Sequence, residues 1–307
     1  MSPLARVPAL TIIALILAGC ASLPNGPSTP SAAPDGVDSR GADLLYVSDT
    51  GTGDLYVYTY PQGKLQQTIR GLTPEGLCVD GAGDVFVANL LGHDLLEYAH
   101  GGTKPIATLR DGSNFPNACA VDAKTGNLAA VNVSSPEISI FVSAKGQPVV
   151  HRDRKMQFAY CGYDDKGNLY ADGWGARGTF ALAELSYGAR HFKSIDLDQK
   201  LHWPGGVFWD GTSLDVSDQG INGHETVIYE FSISGDRATK VGETKLSTSL
   251  DVSQFWIDGG RAAGPDGGRE SGNTVKFWSY PGGGSPERTL GYFDEPAGAA
   301  ISKKPRM

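Results

Sequence analysis

The sequence predicts an all-β body made of six similar four-stranded sheets, because three patterns recur along most of the chain. A seven-residue segment returns six times at an even spacing, and each full copy leads into a glycine-bearing turn and a second short apolar run. A helical period of 3.6 residues is sustained nowhere between residues 42 and 307. Units of this size are typical of β-propeller blades, so the sequence predicts a six-bladed β-propeller.

The repeated segment reads proline, any residue, a small residue, three mostly apolar residues and aspartate. Successive copies end about 42 to 48 residues apart, which is the length of four short strands with their turns. The clear copies are PEGLCVD (Pro74 to Asp80), PNACAVD (Pro116 to Asp122) and PGGVFWD (Pro204 to Asp210), and the weaker ones are FAYCGYD, VSQFWID and PAGAAIS.

Each copy is followed by the parts of a blade. Glycines in turns such as Asp80-Gly81-Ala82-Gly83 supply the positive φ that tight hairpins need. Second strands such as Leu169 to Ala171 stop at Asn or Asp, and third strands such as Val227 to Phe231 precede another glycine-bearing turn. A fourth strand then completes the blade.

The two ends of the body complement each other. Leu44 to Asp49 resembles a second strand without a first, and Pro296 to Ile301 resembles a first strand without a second. We therefore expect the C-terminal strand to pair with the N-terminal blade and close the ring, which protects edges that would otherwise aggregate.

The units resemble those of NHL-type and TolB-like six-bladed propellers, which share the pattern P-x-G-x-x-x-D followed by G-x-L-Y-V-x-N/D. The resemblance covers residues 42–307. It implies the architecture and leaves the activity open, because this fold hosts enzymes, receptors and scaffolds.

The N-terminus indicates export and lipid anchoring. Arg6 precedes an apolar run from Val7 to Ala18, which is too short to span a bilayer of about 30 Å and suits a signal peptide. The run ends in Leu17-Ala18-Gly19-Cys20, which resembles the lipobox of bacterial lipoproteins and implies cleavage after residue 19 and acylation of Cys20. Residues 20–41 are rich in Pro, Ser, Gly and Ala and predict a disordered tether.

Charge and anchor together set the expected partners. The chain has 26 basic and 34 acidic residues, a net charge of −8, which gives no support to nucleic acid or to an anionic membrane surface. We expect a monomer in the cell envelope, at the outer membrane or its extracellular face. It would contact the membrane only through its lipid, and its partner would be an envelope protein, a peptide or a glycan.

Candidate site residues gather on one face of the predicted ring, where loops lead into the first strands and leave the second strands. One Asn or Asp ends each second strand. These side chains are expected to bond their own backbone in turns, with a carboxylate ring that binds a divalent cation such as Ca²⁺ as the alternative. The six residues are Asp49, Asn89, Asn132, Asp172, Asp218 and Asp266.

A metal-dependent hydrolase is the second hypothesis. Glu75-Gly76 resembles the Glu-Gly that supplies one metal ligand in the gluconolactonase family of propellers, but that family's Arg-x-Asn-Asp segment is absent. Asn117, Asp172 and Asp218 are the other candidate ligands. His202 lies on the same face, where virginiamycin-B-lyase-like propellers use histidines with metal, although a lone loop histidine is more often a bystander. We expect no resident cofactor.

A binding floor of mixed polarity is the first hypothesis. Tyr160, Trp174, Trp203 and Gln254, with Glu75, Asn117 and His202, would contact a sugar or peptide. Trp209, Trp256 and Trp278 lie inside strands and are expected to pack between blades. The sequence thus favours a non-catalytic binding or scaffold module over a metal-dependent hydrolase or lyase.

Three cysteines remain beside Cys20, all in first strands. Alternation of side chains favours a Cys78–Cys119 bridge, whereas close approach of neighbouring strands would allow Cys119–Cys161. The sequence leaves both pairings open, and either one leaves one thiol free.

Overall fold

The computed structural model describes residues 41–220, 224–267 and 272–305. The described residues form 24 β-strands and three short 3-10 helices at Leu90–Gly92, Val142–Ala144 and Ala176–Gly178. The prediction of an all-β body is confirmed. None of the helices in these ranges is long and apolar enough to cross a membrane. The predicted signal peptide, Cys20 and nearly all of the predicted tether lie outside the described residues.

The strands fall into six antiparallel groups of four, called here groups 1 to 6. Groups 1 to 3 are separate four-stranded sheets. Group 1 contains β1 (Leu44–Asp49), β2 (Asp54–Thr59), β3 (Leu65–Arg70) and β24 (Pro296–Ser302). Group 2 contains β4 (Pro74–Val79), β5 (Val85–Asn89), β6 (Asp94–Tyr98) and β7 (Pro105–Arg110). Group 3 contains β8 (Pro116–Val121), β9 (Leu128–Asn132), β10 (Glu137–Phe141) and β11 (Val149–Arg152).

Groups 4 to 6 belong to one twelve-stranded sheet, because short parallel contacts link their fourth strands. Group 4 contains β12 (Gln157–Tyr163), β13 (Leu169–Trp174), β14 (Phe180–Leu185) and β15 (Lys193–Leu197). Group 5 contains β16 (Pro204–Trp209), β17 (Leu214–Asp218), β18 (Thr226–Ser234) and β19 (Arg237–Leu246). Group 6 contains β20 (Trp256–Asp258), β21 (Arg261–Asp266), β22 (Thr274–Ser279) and β23 (Gly283–Leu290).

The prolines of the repeat begin first strands. In four groups the proline lies opposite the Asn or Asp that ends the second strand, and the register then shifts before the ladder resumes. Proline suits a strand start because it has no N–H to donate to the ladder. The four pairs are Pro74 with Asn89, Pro116 with Asn132, Pro204 with Asp218, and Pro296 with Asp49.

The last strand pairs with the first one in the body. β24 lies antiparallel to β1, with Leu45 opposite Ile301 and Val47 opposite Ala299. All four of these side chains are buried in one cluster that also takes residues from group 6. The C-terminal strand therefore belongs to the hydrophobic core.

First strands of neighbouring groups approach closely because small residues stand between them. A Cβ on Gly76 would lie 2.7 Å from the carbonyl oxygen of Asn117, and a Cβ on Gly298 would lie 2.8 Å from that of Glu75. A Cβ on Gly206 would lie 3.1 Å from the backbone nitrogen of Phe255. Real Cβ atoms do not fit at the first two distances, so these positions require glycine.

The weak sixth-group copy, Val252 to Asp258, is only partly a strand. β20 begins at Trp256, four residues later than the repeat predicts. The Gln254 side chain explains the difference: its Oε1 accepts from the Leu77 N–H at 3.1 Å and its Nε2 donates to the Leu77 carbonyl at 2.8 Å. Backbone-like bonds from a side chain thus connect this segment to β4 in group 2.

Deleting residues 296–307 is expected to destabilise the whole body, because the deletion removes one of the two strands that pair with β1, together with the buried side chains of β24. We expect one cooperative unfolding transition that is lowered by more than about 10 °C in a calorimetric scan. Deletion of residues 303–307 alone is the control, since it leaves β24 intact. An unchanged transition after the longer deletion would contradict the role given to β24.

Candidate functional site

Four of the six Asn and Asp residues that end the second strands hold the loops that lead into the first strands, whereas Asn132 donates to the Ser139 hydroxyl at 3.2 Å. The Asp218 carboxylate accepts from the backbone N–H of His202 at 3.0 Å and of Trp203 at 2.9 Å, just before Pro204. Asp49 accepts from Asp294 and Glu295 in the same way, each at 2.9 Å. Asn89 and Asp266 also accept from the residues before their first strands. These bonds cross to a neighbouring loop, which the sequence did not predict. Asp49 also makes the predicted bond within the turn that follows its strand, because it accepts from the Thr52 N–H at 3.2 Å.

Asp172 makes a different contact. Its side chain is fully buried, and its two oxygens accept from the N–H groups of Tyr160 in its own group and Gly205 in group 5. Burial raises the pKa of this carboxyl well above its usual range. Asp172 therefore connects two groups at the channel.

Three of the carboxylates predicted to ligate a metal or to form the cation-binding ring already accept from other groups. The carboxylate oxygens of Asp172 and Asp218 accept from backbone N–H groups, and Asp266 accepts from the Lys276 ammonium at 2.6 Å. Among the described residues, one cluster of acidic, histidine or cysteine side chains comes within ligating distance, and it consists of Asp80, Asp84 and Glu97. This cluster belongs to a different part of group 2. The structure does not bring Glu75, Asp172 and Asp218 together as a metal site.

Four of the predicted binding residues do meet. Asn117, Tyr160, Trp174 and Trp203 line one cavity of about 380 Å³, called here the loop-face groove. The Trp174 and Trp203 rings meet edge to face, with centroids 4.9 Å apart, and Trp203 is 37% exposed. The amides of Gln157 and Gln219, which sequence reasoning did not nominate, complete the polar part of the lining. The groove thus combines aromatic faces with amide groups.

His202 stands beside the groove. Its Nδ1 lies 3.0 Å from Asp218 Oδ2, and its side chain is exposed. The histidine reinforces the bonds that Asp218 makes to the backbone of the same loop, which positions Trp203 next to it.

Glu75 lies inward on the same face. Burial, and then the charge of Glu295, raises the pKa of the Glu75 carboxyl to about 7. The Tyr160 hydroxyl is also in the interior, and burial raises its pKa, with Asp172, Asp251 and Glu75 adding to the effect. Burial therefore disfavours the charged forms of both Glu75 and Tyr160.

The repeat places Tyr160 and Gln254 at equivalent third positions of their copies, where other groups have Gly or Ala. Tyr160 lines both the loop-face groove and a second cavity, and Gln254 lines the second cavity. Gln254, predicted to contact a ligand at the loop face, instead bonds the Leu77 backbone. Tyr160 therefore lies between the two cavities, and Gln254 lines one of them.

The second cavity, called here the central cavity, has a volume of about 510 Å³ and was not predicted. First strands of five groups line it: β4, β8, β12, β16 and the segment leading into β20. Trp209 and Trp256 pack against clusters shared by neighbouring groups, as expected, and both also line this cavity. Trp278 packs as expected, fully buried with its Nε1 donating to the Ser247 carbonyl at 3.2 Å.

The wall of the central cavity contains the disulfide. Cys78 and Cys119 are bonded, with Cα atoms 5.6 Å apart, and Cys161 is a buried free thiol. This is the pairing that side-chain alternation favoured. The bridge connects first strands of groups 2 and 3. It closes a loop of about 40 residues, which reduces the number of conformations open to the unfolded chain and so stabilises the folded state.

Comparisons with known proteins establish the fold and no more. No protein-family model matches the chain, and no curated protein matches it in sequence. A chain in the crystal structure of a nidogen/laminin complex is similar with a TM-score of 0.67 at 14% identity, covering 86% of this chain and 99% of that one. A protein of unknown function from Bacteroides caccae has a TM-score of 0.63 at 12% identity, covering 85% and 99%. The chain has a β-propeller-like fold.

Glu75→Gln is expected to stabilise the protein at neutral and alkaline pH. Because the folded pKa is about 7 against a usual 4.5, the ionised carboxylate penalises the folded state, and stability is lost as pH rises from 4.5 through 7. The variant should gain about 2 kcal/mol at pH 8 and nothing at pH 4 in urea unfolding. Glu295→Gln is the control. Because it removes a charge that helps to raise the pKa of Glu75, the pH at which the loss of stability is complete should move slightly downward. An equal effect of Glu75→Gln at both pH values would contradict this account.

Proposed function

We propose that this protein is a non-catalytic binding module, a lipid-anchored six-bladed propeller of the NHL or TolB type that holds an envelope ligand in its loop-face groove. The proposal has three parts: the ring, the location and the binding site. Each is supported by separate observations.

The six-bladed ring is supported by strand pairing. Six antiparallel groups of four strands follow one another, and β24 joins the end of the described chain to its beginning. First strands of five groups face one central cavity, as strands around a common axis would. With β24 as the sixth first strand, each group becomes one blade.

The location is supported by the sequence before the body and by the disulfide. A signal-like run ends at Cys20 in a lipobox-like segment, and a tether follows it. The Cys78–Cys119 bridge suits an oxidising compartment, since cytosolic thiols are kept reduced. We place the protein in the cell envelope, at the outer membrane or its extracellular face, held through its lipid.

Binding rather than catalysis is supported above all by the groove. Trp174 and Trp203 present aromatic surface beside the amides of Asn117, Gln157 and Gln219, with no charged side chain among the described residues that line it. Aromatic faces pack against the apolar faces of sugar rings, and amides bond hydroxyl groups. An envelope glycan is therefore the ligand that fits best. The nidogen/laminin neighbour comes from a complex between proteins, which makes a protein or peptide the other occupant to test.

Trp203→Ala is expected to weaken glycan binding by about tenfold or more, since it removes the exposed half of the aromatic pair. The measurement is binding of the purified body to an array of envelope glycans and to a peptide library, followed by titration calorimetry on the best ligand. Tyr187→Ala is the matched control, because Tyr187 is an aromatic residue with 60% exposure outside the groove. Both variants should unfold like the wild type.

Three results would contradict the proposal in whole or in part. The first is equal binding of the glycan by Trp203→Ala and by the wild type. The second is a peptide as the only ligand, which would reject the glycan and retain the binding module. Stoichiometric metal in the purified protein that Glu75→Gln removes, together with lactone hydrolysis, would instead establish the metal-dependent hydrolase, for which the raised pKa of Glu75 is the supporting observation.

A further inference from the structure

The central cavity is a second site, on the face opposite the loop-face groove. That face, called here the turn face, is formed by the turns that join first strands to second strands, such as residues 80–84 and 164–168. Residues from these turns, Ala123, Asp165 and Gly211, line the cavity at this end. Tyr160 and Gln254 line it at the other end. The cavity volume of about 510 Å³ is within the range of small-molecule pockets.

The charged side chains of the cavity have one sign. Asp164, Asp165 and Asp210 line it, and no Lys, Arg or His is found among its described lining residues. Asp164 and Asp210 are held in place because their carboxylates accept backbone N–H groups within their turns. A low-dielectric cleft with charges of one sign concentrates the electric field, so it attracts cations and repels anions.

The same acidic position recurs around the turn face, because every clear copy of the repeat ends in aspartate. Asp80 and Asp122 accept from backbone N–H groups in their turns, as Asp164 and Asp210 do. Lys303, a nearby cation, is already paired with Asp43 at 3.2 Å and Asp258 at 2.5 Å. Lys124 and Lys166 stand in the same turns as Asp122 and Asp164, and Lys124 Nζ donates to the Lys166 carbonyl at 3.0 Å. Neither lysine lines the cavity, so the charged side chains of its lining are the aspartates.

The walls of the cavity are aromatic and aliphatic. Tyr163, Phe208, Trp209 and Trp256 line it and keep part of their surface exposed, and in the strand of Phe208 and Trp209 the four preceding residues are buried. Aromatic faces attract organic cations, by about 1–2 kcal/mol each when partly desolvated. The disulfide between Cys78 and Cys119 fixes one side of the wall.

We propose that the central cavity binds a small organic cation with an apolar body, an amine or quaternary ammonium compound that enters from the turn face. The apolar part lies against Phe208, Trp209 and Trp256, and the positive group lies toward Asp164, Asp165 and Asp210. This site is independent of the loop-face groove and of its ligand.

Benzyltrimethylammonium is the probe for this site, with phenylacetate and benzyl alcohol as its anionic and neutral counterparts. Titration calorimetry and quenching of tryptophan fluorescence on the purified body should show binding of the cation at least about tenfold tighter than that of phenylacetate. Raising the salt concentration should weaken the cation's binding, because part of the attraction comes from exposed carboxylates. Equal binding of cation and anion, or no binding of the cation at millimolar concentration, would overturn the proposal.

Two variants test the location. Ala123→Phe should narrow the mouth, and Asp165→Asn removes one exposed charge; we expect each to weaken binding of the probe several-fold without changing the unfolding temperature. Ala82→Phe, in the equivalent turn of group 2 and outside the lining, and Asp236→Asn, an exposed aspartate outside the lining, are the matched controls. Unchanged binding in both test variants would overturn the proposal, and so would an equal loss in the controls.

Discussion

The close approach of the first strands is the constraint on which the rest of the structure depends. Gly76, Gly206 and Gly298 stand where any side chain would meet the neighbouring strand, two of them against its backbone carbonyl. Their small size lets the first strands of groups 1, 2 and 5 approach their neighbours, and the hydrophobic clusters then form between neighbouring groups. The prolines start these strands, and the Asn or Asp opposite holds the loop before them. The sequence repeat, the fold and the geometry of the site are therefore all linked to this close approach of the first strands.

Two residues depart from this small-residue rule, and both line the central cavity. Tyr160 and Gln254 occupy the same repeat position as the glycines, and their long side chains use the space that the glycines leave free. Gln254 bonds the backbone of Leu77, while Tyr160 lies between two cavities. The two cavities therefore differ in chemistry: amides and a tryptophan pair line the loop-face groove, and carboxylates with aromatic walls line the central cavity.

The sequence predicts the strand pattern well because each repeat carries its own local signals, from Pro74 at the start of β4 to the glycine turn after Asp80. It also predicts that Asn117, Tyr160, Trp174 and Trp203 share a face, because loop positions follow from the order of strands. Sequence could not predict the central cavity or the role of Gln254. Both depend on how far side chains from different groups reach toward one another. Leu77 and Gln254, for example, are 177 positions apart in the sequence, so their distance in space cannot be read from it. The choice between the two cysteine pairings also depends on a distance, the one between neighbouring first strands, so the sequence left it open.

Unfolding of Gly76→Ala is the most direct test of the central claim. The added Cβ would lie 2.7 Å from the Asn117 oxygen and 2.9 Å from the Ala118 Cα, so the account predicts a loss of about 1–3 kcal/mol in stability. Gly81→Ala is the control, because a Cβ there meets nothing within 4 Å. Chemical denaturation should show Gly76→Ala clearly less stable than Gly81→Ala. A Gly76→Ala protein as stable as the control would show that the first strands do not converge as described.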